Sequence, residues 1–137
     1  MPHSIVVDSK GYLYVADRNN ARVQVFRQNG QFVAEWRNLI IPYELWVTPA
    51  DEIWICGSSP MQWMPNQIYL GVPPKDQLVM KFNTEGKLLL LWTFPKGEVD
   101  DEQPGALNGI HGVAVDSKEN LYIGDILGQK AQKFLKH

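Results

Sequence analysis

A chain of 137 residues, 45% hydrophobic and 20% charged with a net charge of −2, is long enough to bury a core and too apolar to stay disordered. Its 13 Lys and Arg residues are scattered rather than gathered on one stripe, which excludes a dedicated nucleic-acid binder. The longest apolar run, LLLLW at 88–92, is far too short to span a bilayer, so no membrane partner is expected.

The elements read in chain order as short strands. PHSIVVD (2–8), LYVAD (13–17), ARVQVF (21–26) and QFVAEW (31–36) are rich in β-branched and aromatic residues. They are separated by DSKG, RNNA and QNG, the turn chemistry of an antiparallel meander. Met1 and Pro2 lead directly into this pattern with no charged n-region or apolar h-region, so no export signal is expected in the chain as written. Such a chain stays in the cytoplasm or is a piece of a longer coding sequence.

PYELWVTPADEIWICG (42–57) follows the first unit at an offset of 40, with Tyr43 in the place of His3 and Trp54 in the place of Tyr14. An insertion at 58–76 interrupts this copy before LVMKF (78–82) resumes it, and TEGKLLLLW (84–92) matches QNGQFVAEW (28–36). The lone Cys56 has no disulfide or metal-knuckle partner, and is expected as a small buried apolar residue at a strand end. KGEVDDEQPG (96–105) reads as a solvated loop. Asp100, Asp101 and Glu102 offer carboxylates to calcium, but not at the spacing of a defined calcium loop. IHGVAVDSKENLYIGD (110–125) then repeats residues 2–17 at an offset of 108 without a gap, placing His111 on His3, Asp116 on Asp8 and Asp125 on Asp17. The third unit stops at KFLKH, after its third strand.

Four strands recurring near 40 residues mark a β-propeller blade. The expected fold is all-β, with blades at 2–36, 42–92 and 110–137. The last lacks a fourth strand. An arc of three blades leaves apolar faces at both ends, which a twofold homodimer would cover by closing a six-bladed ring; a fragment of a longer protein is the alternative.

The units resemble NHL repeats, carried here by PHSIVVD, LYVAD, ARVQVF and NG. Within that group the chain is similar to the carboxy-terminal half of the peptidyl-α-hydroxyglycine α-amidating lyase catalytic domain. The matching motifs are Pro2-His3-Ser4, Val15-Ala16-Asp17-Arg18, Arg22 to Phe26, the inserted middle blade, Ile110-His111 and Tyr122-Ile123-Gly124-Asp125. The resemblance implies that His3 and His111 are zinc ligands in the central channel and that Arg18 holds a substrate carboxylate. It also implies a secreted or periplasmic setting, and cleavage of an α-hydroxyglycine-extended peptide into a peptide amide and glyoxylate. Zinc accepts imidazole and acts as a Lewis acid when one position stays open, and arginine offers a carboxylate a bidentate fork. The family's third zinc histidine and catalytic tyrosine have no counterpart here. Gly112 stands where the family has an Asp after the histidine, and Gly109 where it has a Met before it. Tyr43 is the tyrosine nominated as base. On a purely structural reading, the histidines only hold neighbouring loops and Asp17 and Asp125 only cap turns.

A rival class is the non-catalytic interaction scaffold. Met61, Trp63, Met64, Ile68, Tyr69 and four prolines give the 58–76 insertion an apolar load that suits a peptide or protein partner. The same loop could equally cover the pole of its own propeller.

Overall fold

The computed structural model describes residues 1–37, 39–58, 77–97 and 103–136. The apolar insertion residues Met61 to Tyr69 and the candidate calcium carboxylates Asp100 to Glu102 lie outside the described residues. The described strands form three antiparallel sheets. Blade 1 holds β1 (Pro2–Val7), β2 (Leu13–Asp17), β3 (Arg22–Phe26) and β4 (Phe32–Trp36). Blade 2 holds β5 (Ile41–Val47), β6 (Ile53–Ser58), β7 (Leu78–Phe82) and β8 (Leu88–Thr93). Blade 3 holds β9 (Ile110–Val115), β10 (Leu121–Asp125) and β11 (Lys130–Phe134). Among the described residues the only helical segment is the 3-10 turn Arg18–Asn20. The chain is a β-propeller segment of three blades.

The repeated phrase has a physical cause in its first turn. The Asp8 carboxylate accepts the amides of Lys10 and Tyr12 on one oxygen and the Tyr14 hydroxyl on the other, at 2.9, 2.8 and 2.9 Å. Asp116 does the same in blade 3, accepting the Lys118 and Asn120 amides and the Tyr122 hydroxyl. The side-chain hydrogen bond from Asn120 leads the contributions that lower the Asp116 carboxyl to about 2. These bonds fix the turn, so the Asp and the Tyr six residues on must recur together. The backbone repeats as well. Gly11, Asp51 and Glu119, at φ of 84°, 58° and 62°, occupy one left-handed position in the three turns. Only the first is a glycine, and the other two carry the steric cost of a side chain there.

Strand alternation gives each blade two faces, and neighbouring blades bury one against the other. Tyr14, Ala16, Val23 and Val25 of blade 1 share a core with Leu45, Ile53, Ile55 and Phe82 of blade 2. Trp36 closes this layer by stacking on Phe82 at 5.4 Å. Tyr43, Trp54, Cys56 and Val79 of blade 2 meet Val113, Val115, Leu121 and Ile123 of blade 3 in a second layer. Trp92 takes the place of Trp36 there, with Phe134 edge-on at 5.6 Å. Cys56 is fully buried within β6, and burial pushes its thiol up to about 12, which leaves it an inert packing group.

Candidate functional site

The first strand of each blade is the inner one: β5 touches both β1 and β9. His3, Tyr43 and His111 are the equivalent residue on these three strands, and each lies at a register irregularity. The β1–β2 register shifts between Pro2 and Ser4, the β5–β6 register between Pro42 and Glu44, and β9 slips at His111 opposite the Gly124–Asp125 step. A bulge of this kind turns one side chain out of the sheet's alternation and re-aims it. Three re-aimed side chains on adjacent inner strands converge. The His3 and His111 rings are 5.0 Å apart in a T-shaped pair. Tyr43 stacks on His111 at 5.4 Å and lies 6.1 Å from His3. The Arg18 guanidinium caps the other side of the cluster, 5.1 Å from the centre of the Tyr43 ring.

All four residues expected at the site are therefore neighbours. A cavity of about 310 Å³ opens beside them, lined by Arg18, Tyr43 and His111 together with Ser58, Gln77 and Leu127. His3 is not among its lining residues. The Tyr43 hydroxyl shares a 2.9 Å hydrogen bond with Ser58 Oγ at the cavity wall.

Local chemistry sets the state of both imidazoles. His3 Nδ1 lies 2.6 Å from the Tyr43 carbonyl oxygen. The carbonyl can only accept, so Nδ1 carries a proton, and in the neutral ring Nε2 is then the nitrogen with the lone pair a metal ligand requires. Burial, followed by the charges of His3 and Arg18, lowers the His111 pKa below the ordinary histidine value, which favours its neutral form. Two imidazoles on one tetrahedral zinc, at Zn–N of about 2 Å, place their ring centres about 5 Å apart. The observed pair meets that spacing and suits zinc in donor type. It supplies only two ligands. Among the described residues no group of three or more His, Cys, Asp or Glu side chains gathers around it.

The surrounding loops are held by side chains that the repeat makes visible only in part. Asp125 accepts the amides of Asn108, Gly109 and Gly128 at 2.6, 2.8 and 2.8 Å. Asp17 accepts Asn20 Nδ2 and Arg22 Nε. Asp125 is thus a turn cap, whereas Asp17 caps no backbone amide of its turn and ties side chains together instead. Gln77, 1% exposed, donates to the Asn108 carbonyl and accepts the Ile110 amide, stitching blade 2 to the start of blade 3. Gly109 lies under the Ile126–Leu127 loop, and a Cβ there would come within 2.8 Å of Leu127 Cγ. A methionine at that position would have to displace the Leu127 side chain. Ser58 and Leu127 stand at the repeat positions of Arg18 and Asn19 but differ from them in residue type, and Gln77 follows the insertion, so none of the three carried a signal in the sequence.

Residues 1–26 match the NHL repeat family model. The chain is 46% identical over 39 residues to the human NHL repeat-containing protein 3, a stretch that covers 28% of this chain and 11% of that protein. It is 27% identical to the mouse NHL repeat-containing protein 3 over 143 aligned positions, 98% of this chain and 35% of that one. The chain thus spans little more than a third of the mouse relative. Among solved structures it resembles a streptogramin B lyase, with a TM-score of 0.65 at 13% identity over 98% of this chain and 37% of that one. The virginiamycin B lyase of Staphylococcus aureus gives 0.62 at 14% identity, with 98% and 41% covered. Likeness at such identity speaks for the fold. The chain is a β-propeller segment whose first blade matches the NHL repeat.

Proposed function

We propose that this chain supplies the metal- and carboxylate-binding rim of a propeller lyase that cleaves peptides ending in α-hydroxyglycine. The observation that carries the reading is the meeting of His3, Tyr43, His111 and Arg18 from separate elements beside one cavity. The residues fit the reaction in the following way. Arg18 holds the terminal carboxylate with its guanidinium fork. Tyr43, linked to Ser58 at 2.9 Å, relays a proton: its phenolic oxygen takes the hydroxyl proton as its own proton passes to the departing amide nitrogen. The C–N bond then breaks, the hydroxyl carbon becomes the aldehyde of glyoxylate, and the departing amide nitrogen gains a proton. Zinc held by His3 and His111 would supply Lewis-acid polarisation of the hydroxyl.

The test is zinc analysis of the purified protein together with glyoxylate release from an N-acyl-α-hydroxyglycine. Zinc retention and turnover, with zinc affinity falling at least about tenfold in His3→Ala or His111→Ala, are expected. A protein that retains no zinc and releases no glyoxylate overturns the reading. A second reading, a non-catalytic interaction disc, draws support from β8, where Leu88, Leu89, Leu91 and Trp92 are all exposed. Such a disc would tolerate both histidine changes without loss of partner binding.

A further inference from the structure

We infer that the cavity beside the ring cluster takes a carboxylate joined to a bulky apolar group, and that Ile126 and Leu127 select that group. In the reaction proposed above, the group is the side chain of the residue that precedes the hydroxyglycine. The inference rests on the same reading of Arg18 as the partner of the carboxylate.

The cavity wall is divided by blade. Arg18 comes from blade 1, Tyr43 and Ser58 from blade 2, and Ile110, Ile126 and Leu127 from blade 3. The described lining residues include a guanidinium and no carboxylate, a balance that favours an anion. The neutral polar groups are largely spent on one another. Gln77 gives its donor to the Asn108 carbonyl and its acceptor to the Ile110 amide. The Tyr43 hydroxyl and Ser58 Oγ share a hydrogen bond. At blade 3 the wall is branched hydrocarbon.

Blade 3 departs from the repeat at this loop. The positions of Ile126 and Leu127 hold Arg18 and Asn19 in blade 1, and Ser58 and Ser59 in blade 2. Polar residues are the usual occupants of a turn between strands, yet here two large apolar side chains stand 58% and 67% exposed.

The loop that carries them is fixed in place. The Ile126 amide donates to the Gly109 carbonyl at 2.9 Å, and the Gly128 amide donates to Asp125 Oδ1 at 2.8 Å. Gly109 allows the close approach, since a Cβ there would come within 2.8 Å of Leu127 Cγ and 3.2 Å of Ile126 Cγ2. A wall held this way gives up little freedom when a ligand covers it. A volume of about 310 Å³ is at the small end for ligand pockets, so the site reads the group next to the carboxylate and not a long peptide. A polar side chain of the same shape laid on that wall would lose its water without gaining a partner.

The test is calorimetric titration of the purified protein with N-acetyl-Leu-Gly and N-acetyl-Asn-Gly, whose variable side chains match in shape and differ in polarity. Neither peptide has a hydroxyl on its terminal glycine, so neither can be cleaved and affinity is read apart from chemistry. The Leu peptide should bind at least about tenfold tighter than the Asn peptide. Its C-terminal carboxamide should bind at least about tenfold more weakly than the acid. The double change Ile126→Ser with Leu127→Ser falls on exposed positions, so the fold should persist by circular dichroism. It should narrow the Leu-over-Asn preference to about threefold or less. Failure of both peptides to bind, equal affinities, a carboxamide as tight as the acid, or a preference that survives the double change would each overturn the inference. The lyase reading fails separately: the Leu preference without glyoxylate release from the hydroxylated peptide refutes that reading alone, and glyoxylate release with equal affinities refutes only the selection.

Discussion

Replacing Asp125 with Asn changes one atom and no volume, yet it should disturb both stability and the cavity. Asp125 is 3% exposed and its carboxylate accepts three backbone amides. Oδ1 takes those of Gly109 and Gly128, and Oδ2 takes that of Asn108. An asparagine can keep its oxygen on the Oδ1 side and preserve two of the bonds. Its NH2 group then faces the Asn108 amide, donor against donor. The buried amide loses its partner, the two surviving bonds lose their charge assistance, and no cavity term enters. Hydrogen bonds to charged groups contribute about 1.5–3 kcal/mol, and an orphaned buried donor costs about 1–3 kcal/mol. These overlap rather than add, so the expected loss is about 3 kcal/mol. For a chain of this length that corresponds to a fall in Tm of roughly 10 °C. The assay is denaturant and thermal unfolding of both proteins at one fixed chain concentration, since association would shift the midpoint. Because Asn108, Gly109 and Leu127 border the cavity, ligand or metal affinity should fall as well. A loss below about 0.5 kcal/mol would refute the view that this carboxylate pins the loops around the site.

Two further outcomes follow from the same bonds. Tyr14→Phe should cost about 1–2 kcal/mol, because it strips Asp8 Oδ2 of its hydroxyl donor inside the core. Tyr122→Phe should cost less, since Asp116 Oδ2 keeps the Asn120 side-chain amide; equal losses in unfolding experiments would contradict this. For His111 the folded pKa lies below the unfolded one. The unfolded state therefore binds more protons in the window between them, and stability is full above about pH 6.5 and declines as pH falls through that window. In His111→Gln the decline between pH 7 and 5 should be shallower, and an unchanged slope of stability against pH would refute it.

The repeat offset alone was enough to set His3, Tyr43 and His111 at equivalent places, because a propeller maps sequence period onto rotation about one axis. Their convergence followed from that mapping. Arg18 was legible through the family resemblance of Val15-Ala16-Asp17-Arg18, and Ile126 in its place in blade 3 sets it apart from the repeat. The bulges that re-aim the three inner residues left no common trace in residue type: Pro2, Pro42 and Ile110 precede them, and a glycine follows only in blade 3. Gln77 was equally silent. It lies at φ 71° at the end of the insertion, where no repeat partner exists, and its two bonds reach across to blade 3. The Asp8–Tyr14 and Asp116–Tyr122 pairs were visible as a motif, but their physical basis, a carboxylate that organises its own turn, needed coordinates.

The bulge at the head of each inner strand separates scaffold from chemistry. The sheet behind it is fixed by register and by the faces buried between blades, and of the bulged residues only Tyr43 belongs to those faces. This chain already carries histidine, tyrosine and histidine at that one position on near-identical frames. A single codon per blade can therefore rewrite the residues at this pole while the sheets stay folded. A metal site, a proton-transfer site and a bare recognition surface lie a few substitutions from one another on such a frame, and lineages could pass between them without crossing an unfolded intermediate.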